Sequence, residues 1–213
     1  MCGARGVAVA GVVVLMLAGC ATVEIRQTRV VGGQITDESG RPVSATPVVV
    51  VGRSLDLATT QFQYVEQGRQ ELRAATDAQG RFRLEFVPAD LGNNFFLFFY
   101  DKTGFDGVKY RRPEPLDITL LLRRDRDIIV NQVLQFAAGW PEVARQIDFY
   151  GAESERGKIL RKFGLPEKRE QAGTGGDSEV WWYYADGVSY WFTGGKLTTT
   201  QEFQPIPTGT PAR

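Results

Sequence analysis

A β-sandwich followed by a small α+β module is the fold class the sequence predicts, and three observations predict it. From Val30 to Leu122, short apolar stretches alternate with clusters of Asp, Ser, Gly and Pro, the spacing of strands and tight turns in an all-β domain. Beyond Asp127 the apolar period changes from alternation to helical spacing. Near the C-terminus, aromatic-rich segments are separated by Asp186-Gly187 and Gly194-Gly195, dipeptides that supply the positive φ a tight hairpin needs.

In chain order the first element is a leader. Arg5 precedes an apolar run from Val7 to Met16, which ends in Leu17-Ala18-Gly19-Cys20. A basic start, an apolar centre and small residues before a cut are the parts of a secretory signal, and the run is too short for the roughly 20 residues a bilayer span needs. The stretch Leu17-Ala18-Gly19-Cys20 resembles the bacterial lipobox. That resemblance implies a signal peptide over residues 1–19, diacylglycerol on the Cys20 thiol and a mature chain that starts at Cys20. Two or three acyl chains make such an anchor effectively permanent. Ala21, standing where an Asp retains lipoproteins at the inner membrane, implies the periplasmic side of the outer membrane. Residues 20–28 then form a tether.

Residues 29–123 make the sandwich. Val30, Val31 and Ile35 lead into the turn Asp37-Glu38-Ser39-Gly40-Arg41-Pro42. Pro47 can only begin the strand Val48–Val51, whose β-branched run suits burial on both faces. Arg53 to Ala74 reads as an insertion or a long hairpin. After Thr76-Asp77-Ala78-Gln79-Gly80, the residues Phe82, Leu84 and Phe86 alternate with Arg81, Arg83 and Glu85, one face packed and one wet. Phe95 to Tyr100 is a central strand expected to be covered on both faces, with a ligand groove over Phe96 and Phe98 as the alternative. Leu116 to Leu122 closes the module, with Ile118, Leu120 and Leu122 on one side. The two turn-plus-strand pieces, Gly33 to Val43 and Thr76 to Phe82, resemble the carboxypeptidase regulatory-like family, a transthyretin/prealbumin-like β-sandwich. The resemblance implies a non-catalytic accessory or binding module, and it transfers fold more safely than function.

Residues 124–204 make the second module. Arg123 to Asp127 is a solvated charge run. Ile129, Val133, Phe136 and Ala137 fit a helix ended by Gly139, Glu142 to Tyr150 a second with Pro141 in its first turn, and Ser154 to Phe163 a third ended by Gly164. Strands follow over Glu179 to Ala185, Val188 to Thr193 and Lys196 to Phe203. The order of helix, Gly164-Leu165-Pro166, Trp181-Trp182-Tyr183-Tyr184, Asp-Gly turn and Tyr190-Trp191-Phe192 resembles the SmpA/OmlA lipoproteins over about residues 155 to 203. That family is accessory to outer-membrane barrel assembly, which implies an envelope protein as partner. Trp181, Tyr183 and Trp191 are candidates for an exposed aromatic contact face. The Pro- and Gly-rich tail, residues 205–213, is expected to be disordered.

Composition removes several function classes. The 213 residues carry 25 basic and 25 acidic side chains and no histidine; without residues 1–19, and so without Arg5, the balance is 24 to 25. No nucleic-acid partner is implied. Histidine-dependent catalysis is excluded and the commonest zinc ligand is missing, while Cys2 leaves with the signal and lipid would block Cys20. No cofactor or metal is expected. The leading expectation is a non-enzymatic, lipid-anchored envelope scaffold or binding protein. The alternatives are a sugar- or lipid-binding lipoprotein and a hydrolase acting through carboxylates alone, drawn from Asp37, Asp77, Asp101 and Asp106.

Overall fold

The structure is a computed structural model that describes residues 25–58, 63–172 and 177–207. Cys20, the leader and residues 208–213 of the tail lie outside the described residues.

The sandwich is built by a chain that passes back and forth between two sheets. Strand β1 (Arg29–Asp37) belongs to the first sheet; β2 (Pro47–Ala58) and β3 (Gln63–Ala75) form a long hairpin in the second. Strand β4 (Arg81–Phe86) returns to pair antiparallel with β1, and β5 (Asn94–Phe98), after the one-turn α1 (Pro88–Leu91), pairs antiparallel with β2. The second sheet thus runs β3-β2-β5-β6, with β6 only Leu116–Asp117. Both quoted turns have one design: Asp37 and Asp77 each accept at Oδ1 from the backbone N–H groups two and four residues on, and Gly40 and Gly80 take positive φ. Between the sheets lie Val31 and Ile35 of β1, Phe82, Leu84 and Phe86 of β4, Val48 and Val50 of β2, and Phe95 and Leu97 of β5.

Two segments differ from the sequence expectation. The closing strand is cut short at Asp117 because α2 (Thr119–Arg124) takes over; Ile118 and Leu122, four apart, are buried, whereas Leu120 is 75% exposed on the far side of the turn. The helix expected from Ile129 is absent. Instead β7 (Asp127–Ile129) and β8 (Gln132–Leu134) pair in parallel with β1 in succession, so the first sheet draws on residues beyond 123. Ile128 and Leu134 enter the core while Ile129 and Val133 face outward. Gly33 makes this possible: a Cβ there would lie 1.8 Å from the Val130 carbonyl oxygen, where the chain crosses between β7 and β8.

The second module places α3 (Trp140–Tyr150) and α4 (Glu155–Phe163) against a four-stranded antiparallel sheet. Pro141 sits in the first turn of α3, the Ser154 hydroxyl accepts from the Gly157 N–H to cap α4, and Gly151 and Gly164 end the two helices at positive φ. Strands β10 (Ser178–Tyr183), β11 (Val188–Thr193) and β12 (Lys196–Glu202) form the expected meander, and β9 (Lys168–Gln171), not among the expected strands, adds a fourth on β10, giving the order β12-β11-β10-β9. Tyr110 stacks on Phe136 at 5.7 Å within the sandwich core, and the modules meet at Lys109, whose ammonium lies 4.8 Å from the Tyr110 ring and 5.6 Å from that of Trp140.

Candidate functional site

Strand pairing in the C-terminal sheet decides which aromatics face which way. Tyr183 opposes Val188 and Trp181 opposes Tyr190, and this face packs on α3 and α4. Trp181 is 0% exposed and Tyr183 1% exposed. The expected exposed face at Trp181 and Tyr183 is therefore corrected: both are core. The Trp181 ring lies 5.7 Å from Tyr150 and 5.0 Å from Phe192. The Tyr183 hydroxyl donates to the Gly164 carbonyl at 3.0 Å, and burial pushes its ionisation well above the ordinary tyrosine range. Arg156 of α4, paired with Glu179, lies over the Phe192 and Tyr150 rings at 4.8 and 5.0 Å. Its charge is thus held by a carboxylate and by aromatic faces inside the module.

The opposite face carries Trp191, which opposes Val180, and Trp182, which opposes Ser189. Trp182, Tyr184 and Phe203 form a cluster with centroids 5.8 to 6.2 Å apart, Trp182 and Tyr184 stacked within 15° of parallel. The Trp182 indole donates to Glu170 at 2.8 Å, which helps hold that carboxyl below its usual range after the larger effect of Lys168. Trp182, Tyr184, Trp191 and Phe203 are all partly exposed. No hydrogen-bond partner among the described residues meets the Trp191 N–H or the Ser189 hydroxyl. Of the three candidates only Trp191 lies on this face. Trp182 and Tyr184 were missed, although alternation along β10 separates them from Trp181 and Tyr183.

The sandwich carries a second surface, on the outer side of its β3-β2-β5 sheet. Phe95 and Leu97 point into the core, so Phe96 and Phe98 point out and stay partly exposed; the strand is not covered on both faces. Register aligns Arg73, Val49 and Phe98 in one row and Glu71, Val51 and Phe96 in the next. Tyr100, Asp101, Lys102, Thr103 and Arg112 wall a groove of about 640 Å³ over Val49, Val51 and Phe98. Glu71 accepts from Arg73 at 2.7 Å and from Arg69 at 2.9 Å, and Asp101 accepts from Arg73 at 3.2 Å. The Arg73 hydrogen bond holds Glu71 below its usual range, and the backbone N–H groups of Gly104 and Thr103 do the same for Asp101. Arg112 stands 5.7 Å over the Tyr100 ring.

The four carboxylates considered for acid-base work are engaged locally. Asp37 and Asp77 close their own turns, Asp101 accepts from Thr103 and Gly104 N–H groups, and Asp106 accepts from the Lys109 N–H. Where a carboxylate shift is resolved it is downward, the direction opposite to that of a general acid working near neutral pH.

No family model matches the chain, and no curated protein does. Among solved structures it is similar to a streptococcal ancillary pilin (15% identity, TM-score 0.30, 51% of this chain and 32% of that one). It is also similar to BcpA, the major pilin subunit of Bacillus cereus (16% identity, TM-score 0.33, 52% and 31%), and to catechol 1,2-dioxygenase from Pseudomonas arvilla C-1 (14% identity, TM-score 0.31, 56% and 55%). The chain spans about a third of the two pilin chains. At this level the likenesses carry no argument about activity. The mostly antiparallel β-sandwich with an appended α+β module is the fold, as the strand pairing itself displays.

Proposed function

We propose that the protein is a non-enzymatic binding scaffold of the bacterial envelope, held at the outer membrane by lipid on Cys20 and facing the periplasm. Its contact surface for a protein partner is the outer aromatic face of the C-terminal sheet. The observation that carries this reading is the ordered cluster of Trp182, Tyr184 and Phe203 beside Trp191, partly exposed on a sheet whose other face is filled by two helices. Rigid aromatics with polar handles are the residues that dominate interface energies, because they bury much area at little entropic cost. The lipobox residues and Ala21 support the location. The resemblance of residues 155 to 203 to the SmpA/OmlA lipoproteins supports a partner in outer-membrane protein assembly.

The test is photocrosslinking in intact cells, with a probe at Tyr184 and a second at Phe149, which is 81% exposed on α3 away from this face. A discrete protein adduct from Tyr184, weak or absent from Phe149 and lost in Cys20→Ala, is the expected result. Equal adducts from both probes, or none from Tyr184, would overturn the reading.

A further inference from the structure

The groove on the sandwich lies on a different module from the aromatic contact face and asks for a ligand of its own. We infer that it binds an acidic saccharide, a chain of sugar rings bearing carboxylates. Four properties of the groove lead there. Its floor is apolar: Val49 and Val51 lie beneath it at 4% and 2% exposure, and the partly exposed Phe98 ring offers the contact for the C–H face of a sugar; at about 640 Å³ the groove falls in the range of small-ligand sites and far exceeds one ion. Its walls carry Arg69, Arg73, Lys102 and Arg112 against Glu71 and Asp101. Both carboxylates are taken up by Arg69 and Arg73, which leaves Lys102 and Arg112 without a carboxylate partner among the described residues. Those two cations are available for a ligand's carboxylates, where charge-assisted hydrogen bonds are strong.

The mixture of signs narrows the ligand class. Saccharide hydroxyls can donate to the remaining oxygen lone pairs of Glu71 and Asp101 while saccharide carboxylates accept from Lys102 and Arg112, a combination that a phosphodiester linkage, which has no donor, does not offer. An acidic peptide captured by strand addition would need an open sheet edge. This groove lies on a sheet face, where the backbone is already paired between β3, β2 and β5.

Calorimetric titration of the purified full-length protein in detergent tests the assignment, with trigalacturonic acid as the probe. Its methyl ester is the neutral ring control, hexaglutamate the acidic control without rings, and inorganic phosphate the bare anion. The acid is expected to bind at least about tenfold more tightly than any of the three. Lys102→Ala and Arg112→Ala are each expected to weaken it about tenfold, the typical worth of a charged hydrogen bond. Phe98→Ala is expected to weaken acid and ester alike, and Arg83→Ala, on the other sheet, to change nothing. Both cation variants alter exposed side chains, and circular dichroism verifies that they fold. No heat with trigalacturonic acid at millimolar concentration, equal affinity for ester, peptide or phosphate, or indifference to Lys102→Ala and Arg112→Ala would each overturn the inference. None of these results bears on the Tyr184 crosslink, so the two readings fail separately.

Discussion

Trp181→Ala, in β10, and Tyr184→Ala, one residue past its end, should differ severalfold in cost, because the first empties a core and the second trims a surface. Trp181 is 0% exposed, its ring is 5.0 Å from Phe192 and 5.7 Å from Tyr150, and the Arg169 guanidinium lies 4.5 Å over it. Truncating a fully buried Trp costs about 3–5 kcal/mol. Two lost aromatic pairs, at roughly 0.5–1.5 kcal/mol each beyond area, and the weakened cover over the Arg156–Glu179 pair put this site at the upper end. At about 2–4 °C per kcal/mol for a chain of this size, the melting point should fall by roughly 10–20 °C. Tyr184 is partly exposed and loses contacts with Trp182 and Phe203 alone, a cost of about 1 kcal/mol. The assay is urea unfolding followed by far-UV circular dichroism, since removing a Trp confounds fluorescence. If Trp181→Ala fails to fold, Trp181→Phe substitutes for it. The indole N–H has no hydrogen-bond partner among the described residues, so this change loses volume and no bond and should cost about 1–2 kcal/mol. A Trp181→Ala cost below about 1.5 kcal/mol, or one matched by Tyr184→Ala, would refute the assignment of faces.

Other outcomes follow from particular contacts. Gly33→Ala places a methyl 1.8 Å from the Val130 carbonyl and should destabilise by at least about 2 kcal/mol. Gly68→Ala, with open space around its Cβ and no positive φ, should be neutral or stabilise by up to about 1 kcal/mol in the same unfolding assay. Glu179→Gln leaves the Arg156 charge, 17% exposed, facing a neutral amide, and should cost roughly 1–3 kcal/mol, between the surface and fully buried limits. Arg83→Ala, whose side chain is 66% exposed beside Glu85, should stay within about 0.5 kcal/mol. Glu71, Asp77 and Asp101 titrate lower when folded, so the unfolded chain binds more protons as pH falls. Their contribution is complete above the unfolded carboxylate range, about pH 4–4.5, and is lost below it. The chain has no histidine, so the melting point should be flat from about pH 5.5 to 8 and drop below about pH 4. A step near pH 6.5 in a melting series would contradict this account.

Turn chemistry and apolar period were readable in the sequence because both act over a few residues. The paired Asp-to-Gly turns before Arg41 and Arg81, the Phe82-Leu84-Phe86 alternation, Ser154 and Gly164 at the ends of α4, and the two Gly hairpins of the last sheet all formed as their residues dictate. The same local rules misplaced Ile129 to Ala137. Of the four apolar residues at helical spacing there, Ile129 and Val133 fall in β7 and β8, because pairing with β1 and insertion of Ile128 and Leu134 between the sheets offered burial that an isolated helix lacks. Facing was beyond the sequence as well. Alternation splits Trp181 from Trp182 with certainty, yet both faces of β10 are equally aromatic, and only the packing of α3 and α4 makes Trp181 core and leaves Trp182 at the surface. The groove depended still more on tertiary structure, since Arg69, Arg73, Phe98 and Arg112 are brought together by hairpin register and by a loop that folds back over the sheet. The sequence by itself determined the turns, the alternating strands beside them and the exclusion of histidine chemistry, all short-range or compositional. Tertiary structure decided which surfaces remain open, because burial is settled by long-range partners that no local pattern names.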